Sequence, residues 1–186
     1  MRVFRILADK LFWDVFLTTR FFLALGCCAL LFILSFFYPP FQPLPDIVLP
    51  VFSLLVVIDY FFLFASRSTI TAGRFMADRL SNGDENNIEI RLKSTYPFTV
   101  YMELIDELPV QFQQRDWLVS GQLGAGQQKS IMYKLRPTSR GEYHFGRVII
   151  YLTSGLGLLK RRFNSENETM VPVYPSFMQM RKYELV

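Results

Sequence analysis

The sequence predicts a membrane α-helical hairpin followed by an all-β antiparallel sandwich, immunoglobulin-like in architecture. Three observations carry that reading. Two long apolar runs, Phe21 to Tyr38 and Ile47 to Ala65, sit near the start, joined by the link Pro39-Pro40-Phe41-Gln42-Pro43-Leu44-Pro45-Asp46. From Thr69 onward the hydrophobic period changes from helical to alternating. Turn-forming clusters then recur at short intervals: Ser81-Asn82-Gly83-Asp84, Tyr96-Pro97, Gly121–Gly126 and Ser139-Arg140-Gly141.

Residues 1–20 read as an amphipathic interfacial segment. Phe4, Leu7, Leu11 and Val15 recur at helical spacing with Arg2, Arg5, Asp9, Lys10 and Asp14 between them. Such a helix lies in the membrane interface with its basic residues near lipid headgroups. A plain N-terminal extension of the first span fits the same pattern.

The hairpin occupies residues 21–66. At about 1.5 Å per residue each apolar run is roughly 27 Å long, close to the hydrocarbon thickness of a bilayer. A cleaved signal peptide fits poorly: Phe36-Phe37-Tyr38-Pro39-Pro40 offers no small-residue cleavage pattern, and a second span follows at once. Arg2, Arg5, Lys10 and Arg20 precede the first run and Arg67, Arg74 and Arg79 follow the second, while the link has no Lys or Arg. The positive-inside bias then places both ends in the cytoplasm. The adjacent Cys27 and Cys28 read as small apolar filler, because neighbouring helical side chains point about 100° apart.

Asp59 is the ionisable group set well within a span. With Pro50 in the first helical turn it falls near mid-membrane, where an aspartate costs about 2.5–3.5 kcal/mol to insert. The first span offers no cation to offset that cost. Asp59 is therefore a candidate membrane-helix contact; the alternative is a protonated or water-reached carboxyl that an apolar helix tolerates.

Residues 67–175 form the β-sandwich. Ile88, Ile90 and Leu92 alternate with Glu89 and Arg91, as a half-buried strand requires. Phe98–Asp106, Lys129–Arg136, Glu142–Thr153, Leu158–Phe163 and Thr169–Tyr174 are further strand candidates. Six or seven short strands with little helix indicate a sandwich. Residues 176–186 read as a tail or the start of a further domain.

No constellation announces a reaction. His144 is the sole histidine, and zinc usually takes three or four protein ligands. Glu103, Asp106 and Glu107 cluster near a strand end without a recognisable cleft. Gly121-Gln122-Leu123-Gly124-Ala125-Gly126 leads into a strand, not the helix that a phosphate loop needs, and reads as a hairpin connection. The run Lys160-Arg161-Arg162 is a candidate contact for anionic lipid or an acidic partner, or else a charged edge strand that resists association. The 16 Lys and Arg of residues 67–186 are interspersed with 12 Asp and Glu, which argues against nucleic acid as a partner. The reading is non-enzymatic, with no cofactor and no metal. Membrane lipid and partner proteins are expected, and the oligomeric state stays open.

Several local strings occur together: Asp106-Glu107-Leu108-Pro109, Arg140-Gly141-Glu142-Tyr143-His144-Phe145-Gly146, Gly155-Leu156-Gly157-Leu158, and Val171-Pro172-Val173-Tyr174-Pro175. In this order, behind a two-span hairpin, they resemble the N-terminal half of the DUF-fifty-eight family, a bacterial domain of unknown function. In that family the glycine turn usually begins Asp-Pro-Phe, where this chain has Thr153-Ser154-Gly155. The resemblance implies a multi-pass bacterial inner-membrane protein with a cytoplasmic sandwich. It also implies a following von Willebrand factor A-like domain, which the sequence to Val186 does not include, and MoxR-type AAA+ ATPase or von Willebrand factor A-type partners. An envelope-assembly component with a periplasmic sandwich is the alternative.

Overall fold

The computed structural model describes residues 14–65, 68–114, 117–165 and 168–175. Most of the N-terminal segment and the whole 176–186 tail lie outside the described residues. The first described element corrects part of the helical expectation: Val15–Leu17 is a strand, β1. Its three apolar residues pair antiparallel with Leu159–Arg161, so a tertiary partner overrides the helical spacing.

Helix α1 spans Thr19–Phe37 and is capped by Thr18, whose hydroxyl accepts from the Phe21 amide. It stops at the Pro39-Pro40 pair, which forms a single 3-10 turn, Pro39–Phe41. Helix α2 spans Pro43–Tyr60. It opens at Pro43, earlier than the run from Ile47 with Pro50 in its first turn that the sequence suggested, because a proline fits the first turn at no cost in hydrogen bonding. Pro50 therefore lies inside the helix and forfeits its bond to the Asp46 carbonyl. A single π turn, Phe61–Ala65, extends α2 toward the β-domain. Both helices are long and apolar enough to cross a membrane, and only 11% of each apolar window is buried.

The β-domain follows as β2 (Ile70–Phe75), β3 (Leu80–Ser81), β4 (Asn86–Ser94), β5 (Val100–Asp106), β6 (Leu118–Leu123), β7 (Gln128–Leu135), β8 (Gly141–Phe145), β9 (Val148–Thr153), β10 (Leu159–Ser165) and β11 (Thr169–Tyr174). One sheet has the order β1-β10-β9-β5-β6; a second is β2-β4-β7; a third is β3-β11-β8. All pairings are antiparallel except β3 with β11. The run Glu142–Thr153, expected as one strand, is two strands in different sheets, broken at Gly146-Arg147. The Gly121–Gly126 segment is likewise no hairpin: β6 and β7 belong to different sheets, so the turn crosses the sandwich edge.

The larger core lies between the first two sheets. Ile90 and Leu92 from β4 meet Met102 and Leu104 from β5 and Ile150 and Leu152 from β9, all at most 2% exposed. A satellite core of Leu80, Ile88, Tyr143, Phe145, Val171 and Val173 sits under the third sheet, with Tyr133 touching both. The larger core does not end at the sandwich. Leu63 of the π turn is fully buried in it, and Val56, Tyr60 and Phe64 pack against it. The foot of the hairpin is thus part of the β-domain core.

Candidate functional site

The loop between β9 and β10, Ser154-Gly155-Leu156-Gly157-Leu158, receives both helices. Asp59, one residue from the end of α2, is fully buried. Its carboxylate accepts from the Ser154 hydroxyl and from the amides of Leu158 (2.9 Å) and Leu159 (2.8 Å). The Ser154 oxygen in turn accepts from the Leu156 amide at 3.1 Å. Thr18 does the corresponding work for α1: its hydroxyl donates to the Gly157 carbonyl (2.7 Å) and its amide to the Leu158 carbonyl (3.1 Å). Gly157 has φ +68°, a conformation that favours glycine, and the Arg20 guanidinium rests close to it, 2.9 Å from where a Cβ would lie.

This placement corrects the sequence expectation for Asp59. The carboxylate lies near the end of α2 and bonds to the β-domain, not to another helix. With α2 opening at Pro43 and giving way to the π turn after Tyr60, Asp59 falls in its last turn, not at its middle. Three donors, two from the loop and one from the first residue of β10, offset the cost of burying the acid.

The basic run is also redistributed. Lys160 donates to both oxygens of Glu103, at 2.7 and 2.9 Å. Arg161 turns toward the hairpin: its guanidinium donates to the Leu63 carbonyl (2.6 Å) and the Tyr96 hydroxyl (3.1 Å) and lies over the Phe64 and Phe163 rings. Tyr96 also donates to the Leu63 carbonyl, at 3.0 Å; burial pushes its phenol up, opposed by the Arg161 charge. Arg162 lies 3.7 Å from Asp14 and over the Phe16 ring. The three cations therefore do not share one face: successive residues of a strand point to opposite sides, so Arg161 faces the hairpin while Lys160 and Arg162 lie on the other side, each beside its own carboxylate. Nor is β10 an edge strand, since β1 covers it.

A second buried polar cluster lies at the far end of β5. Asp106, 2% exposed, takes the Arg74 guanidinium and the Tyr133 hydroxyl, and Arg74 also donates to the Gly146 carbonyl at 3.0 Å. Arg74, counted above among topology-setting cations, is thus a core residue. Glu107 accepts from the Arg147 amide at 2.9 Å. Glu103, Asp106 and Glu107 therefore serve three separate contacts. His144 is exposed on β8, 3.9 Å from Glu142. Among the described residues no group of three His, Cys, Asp or Glu is placed to hold a metal ion. Cys27 is exposed and Cys28 buried, both as free thiols.

A groove of about 510 Å³ runs beside the foot, lined by Thr19, Arg20, Tyr101, Glu103, Gly155 and Lys160 among others. It shares Tyr101, Glu103 and Thr153 with a shallower hollow of about 410 Å³ on the same sheet face.

Thr18, Leu63, Tyr96 and Ser154 escape sequence reasoning. Thr18 carries a usable signal, a hydroxyl residue just before an apolar run. Ser154 carries none, since its partner lies 95 residues away.

These features define an immunoglobulin-like β-sandwich seated on an apolar helical hairpin. No protein-family model matches the sequence, and no curated protein matches it. Among solved structures, the chain is similar to a CARDB domain from Pyrococcus furiosus in complex with di-metal ions (13% identity, TM-score 0.37, covering 57% of this chain and 89% of that one). It is also similar to an ASH/PapD-like domain of human CEP192 (10% identity, TM-score 0.38, 56% and 84%). A β-glucosidase from Listeria innocua matches over 60% of this chain and 17% of its own (13% identity, TM-score 0.34).

Proposed function

We propose that this chain is a membrane-anchored, non-enzymatic protein-interaction module. The two helices span a bilayer, and the sandwich is presented at its cytoplasmic face to partner proteins. The observation that carries the reading is the double attachment at the hairpin foot. Asp59 and Thr18 fix both helices to one loop, and Leu63 joins the two parts through a shared core. A sandwich so attached is held in one orientation to the membrane, as a docking platform requires. MoxR-type AAA+ ATPases and von Willebrand factor A-type proteins are the proposed partners, on the strength of the DUF-fifty-eight resemblance. The cytoplasmic side rests on the basic residues flanking the spans.

Single cysteines at Gln42, in the hairpin turn, and at Thr138, exposed on the β-domain, test the sidedness in a variant lacking Cys27 and Cys28. An impermeant thiol reagent applied to intact spheroplasts should label only the Gln42 position. Labelling at Thr138 alone reverses the orientation and supports a periplasmic, envelope-assembly role. Co-purification from crosslinked membranes should then recover an AAA+ ATPase or a von Willebrand factor A-type protein; recovery of neither removes those partners.

A further inference from the structure

The groove beside the hairpin foot combines depth, charge and shape. Arg20 stands exposed in the first turn of α1, one residue before the apolar run begins at Phe21. If the helix crosses a bilayer, the groove opens at the level of the lipid headgroups. Leu17 lines it and is 46% exposed; Leu156, 38% exposed, sits in the β9–β10 loop between the lining residues Gly155 and Gly157. Within the groove Lys160 and Glu103 neutralise one another through two hydrogen bonds. Among the described residues no carboxylate pairs with Arg20, so it leaves the groove with one net positive charge. The N-terminal end of α1 adds a partial positive charge at the same point.

We propose that this groove seats the phosphate of an anionic phospholipid headgroup, with Arg20 supplying the charge and Leu17 and Leu156 resting at the acyl boundary. The inference rests on the reading that the hairpin crosses a bilayer. Lys160, held by Glu103, is a reserve cation: removing the acid makes it available to the phosphate.

The test uses the full chain in mild detergent, mixed with equal amounts of phosphatidylglycerol and phosphatidylcholine, with bound lipids counted by native mass spectrometry. The wild-type chain should retain phosphatidylglycerol in preference. Arg20→Gln should reduce that preference about fivefold, the effect of one cation near an anionic surface, and Arg20→Lys should keep most of it. Glu103→Gln should raise it. Unchanged preference in both Arg20→Gln and Glu103→Gln, with thermal melts showing both folded, overturns the site. Displacement of the lipid by millimolar inorganic phosphate overturns a lipid site in favour of a free-phosphate one. Alkaline carbonate extraction of native membranes separates the two levels. Release of the chain sinks the spanning hairpin and this proposal together; retention without lipid preference sinks the groove alone.

Discussion

Asp59 and Ser154 lie 95 residues apart in sequence and are hydrogen-bonded in a fully buried contact between the end of the second helix and the β9–β10 loop. A carboxylate that reads from sequence as an intramembrane charge is thereby a joint between an apolar hairpin and a β-sandwich. The same loop receives Thr18 from the first helix. The glycine turn Gly155-Leu156-Gly157-Leu158 thus acts as the socket for both helices.

Replacing Asp59 tests the joint. Asp59→Leu leaves the Ser154 hydroxyl and the Leu158 and Leu159 amides without their buried acceptor, a loss of about 1–3 kcal/mol for each donor left unsatisfied. Thermal unfolding in detergent should show the drop, and limited proteolysis should cut near Gly155 faster than in wild type. Asp59→Asn, which keeps one carbonyl oxygen, should be milder. A Leu variant as stable as wild type would mean the three bonds do not hold the foot.

Leu63 tests the shared core. It is fully buried, beneath Tyr96 and within reach of Arg161, so Leu63→Ala in the full chain should cost about 2–5 kcal/mol. A fragment beginning at Ser68 loses Leu63 and its packed neighbours Val56, Tyr60 and Phe64, and also β1, which covers the edge of β10. It should be rich in β structure by circular dichroism but melt well below the full chain and self-associate along the bared strand. A fragment as stable as the whole would show that the sandwich core is closed without the hairpin.

The hairpin was legible because two largely apolar runs, Phe21 to Tyr38 and Ile47 to Ala65, are each long enough to span a bilayer and have few other meanings, and β4 because Ile88, Ile90 and Leu92 alternate cleanly with charges. Other features depend on partners distant in sequence. Val15–Leu17 fits a helical period as well as a strand, and pairing with Leu159–Arg161 decides the matter. The break at Gly146-Arg147 has a single glycine as its signal, and what requires it is Glu107, forty residues earlier in the chain than Arg147. The basic run looked like a surface because neighbours in sequence look like neighbours in space. On a strand they are not, and Arg161 faces the hairpin while Lys160 meets Glu103.

Gly146 gives a steric test of that break. A Cβ at this position would lie 2.5 Å from Glu107 Oε2 and 2.8 Å from Glu107 Cβ, a contact that the backbone must shift to relieve. Gly146→Ala should destabilise by about 1–3 kcal/mol, the usual cost of overpacking. Gly155→Ala, which meets nothing within 4 Å, is the matched control and should change the denaturant midpoint little. Equal effects from the two substitutions would remove the close approach of Glu107 as the cause.

The Arg74–Asp106–Tyr133 cluster makes the stability of the chain depend on alkaline pH. Burial, then the neighbouring Asp106 carboxylate, push the Tyr133 phenol well above its ordinary value of 10.0. Above about pH 10 the unfolded chain releases this proton while the folded chain keeps it, so the folded state binds more protons and stability falls as pH rises. The stabilising contribution is fully present below pH 10 and is lost above it. Tyr133→Phe removes both the titration and one hydrogen bond to Asp106. At pH 7 the variant should be less stable by about 1 kcal/mol, and its stability should decline less between pH 10 and 12, so that the two curves converge. Tyr96, whose phenol burial also raises, is present in both chains and leaves the difference between them unaffected. Asp106→Asn is the stronger perturbation, because it takes the carboxylate from a guanidinium only 1% exposed; the expected loss is about 3–5 kcal/mol. Denaturant titrations at several pH values read all three effects. Parallel pH profiles for wild type and Tyr133→Phe would show that the phenol is not held in its protonated form by the fold.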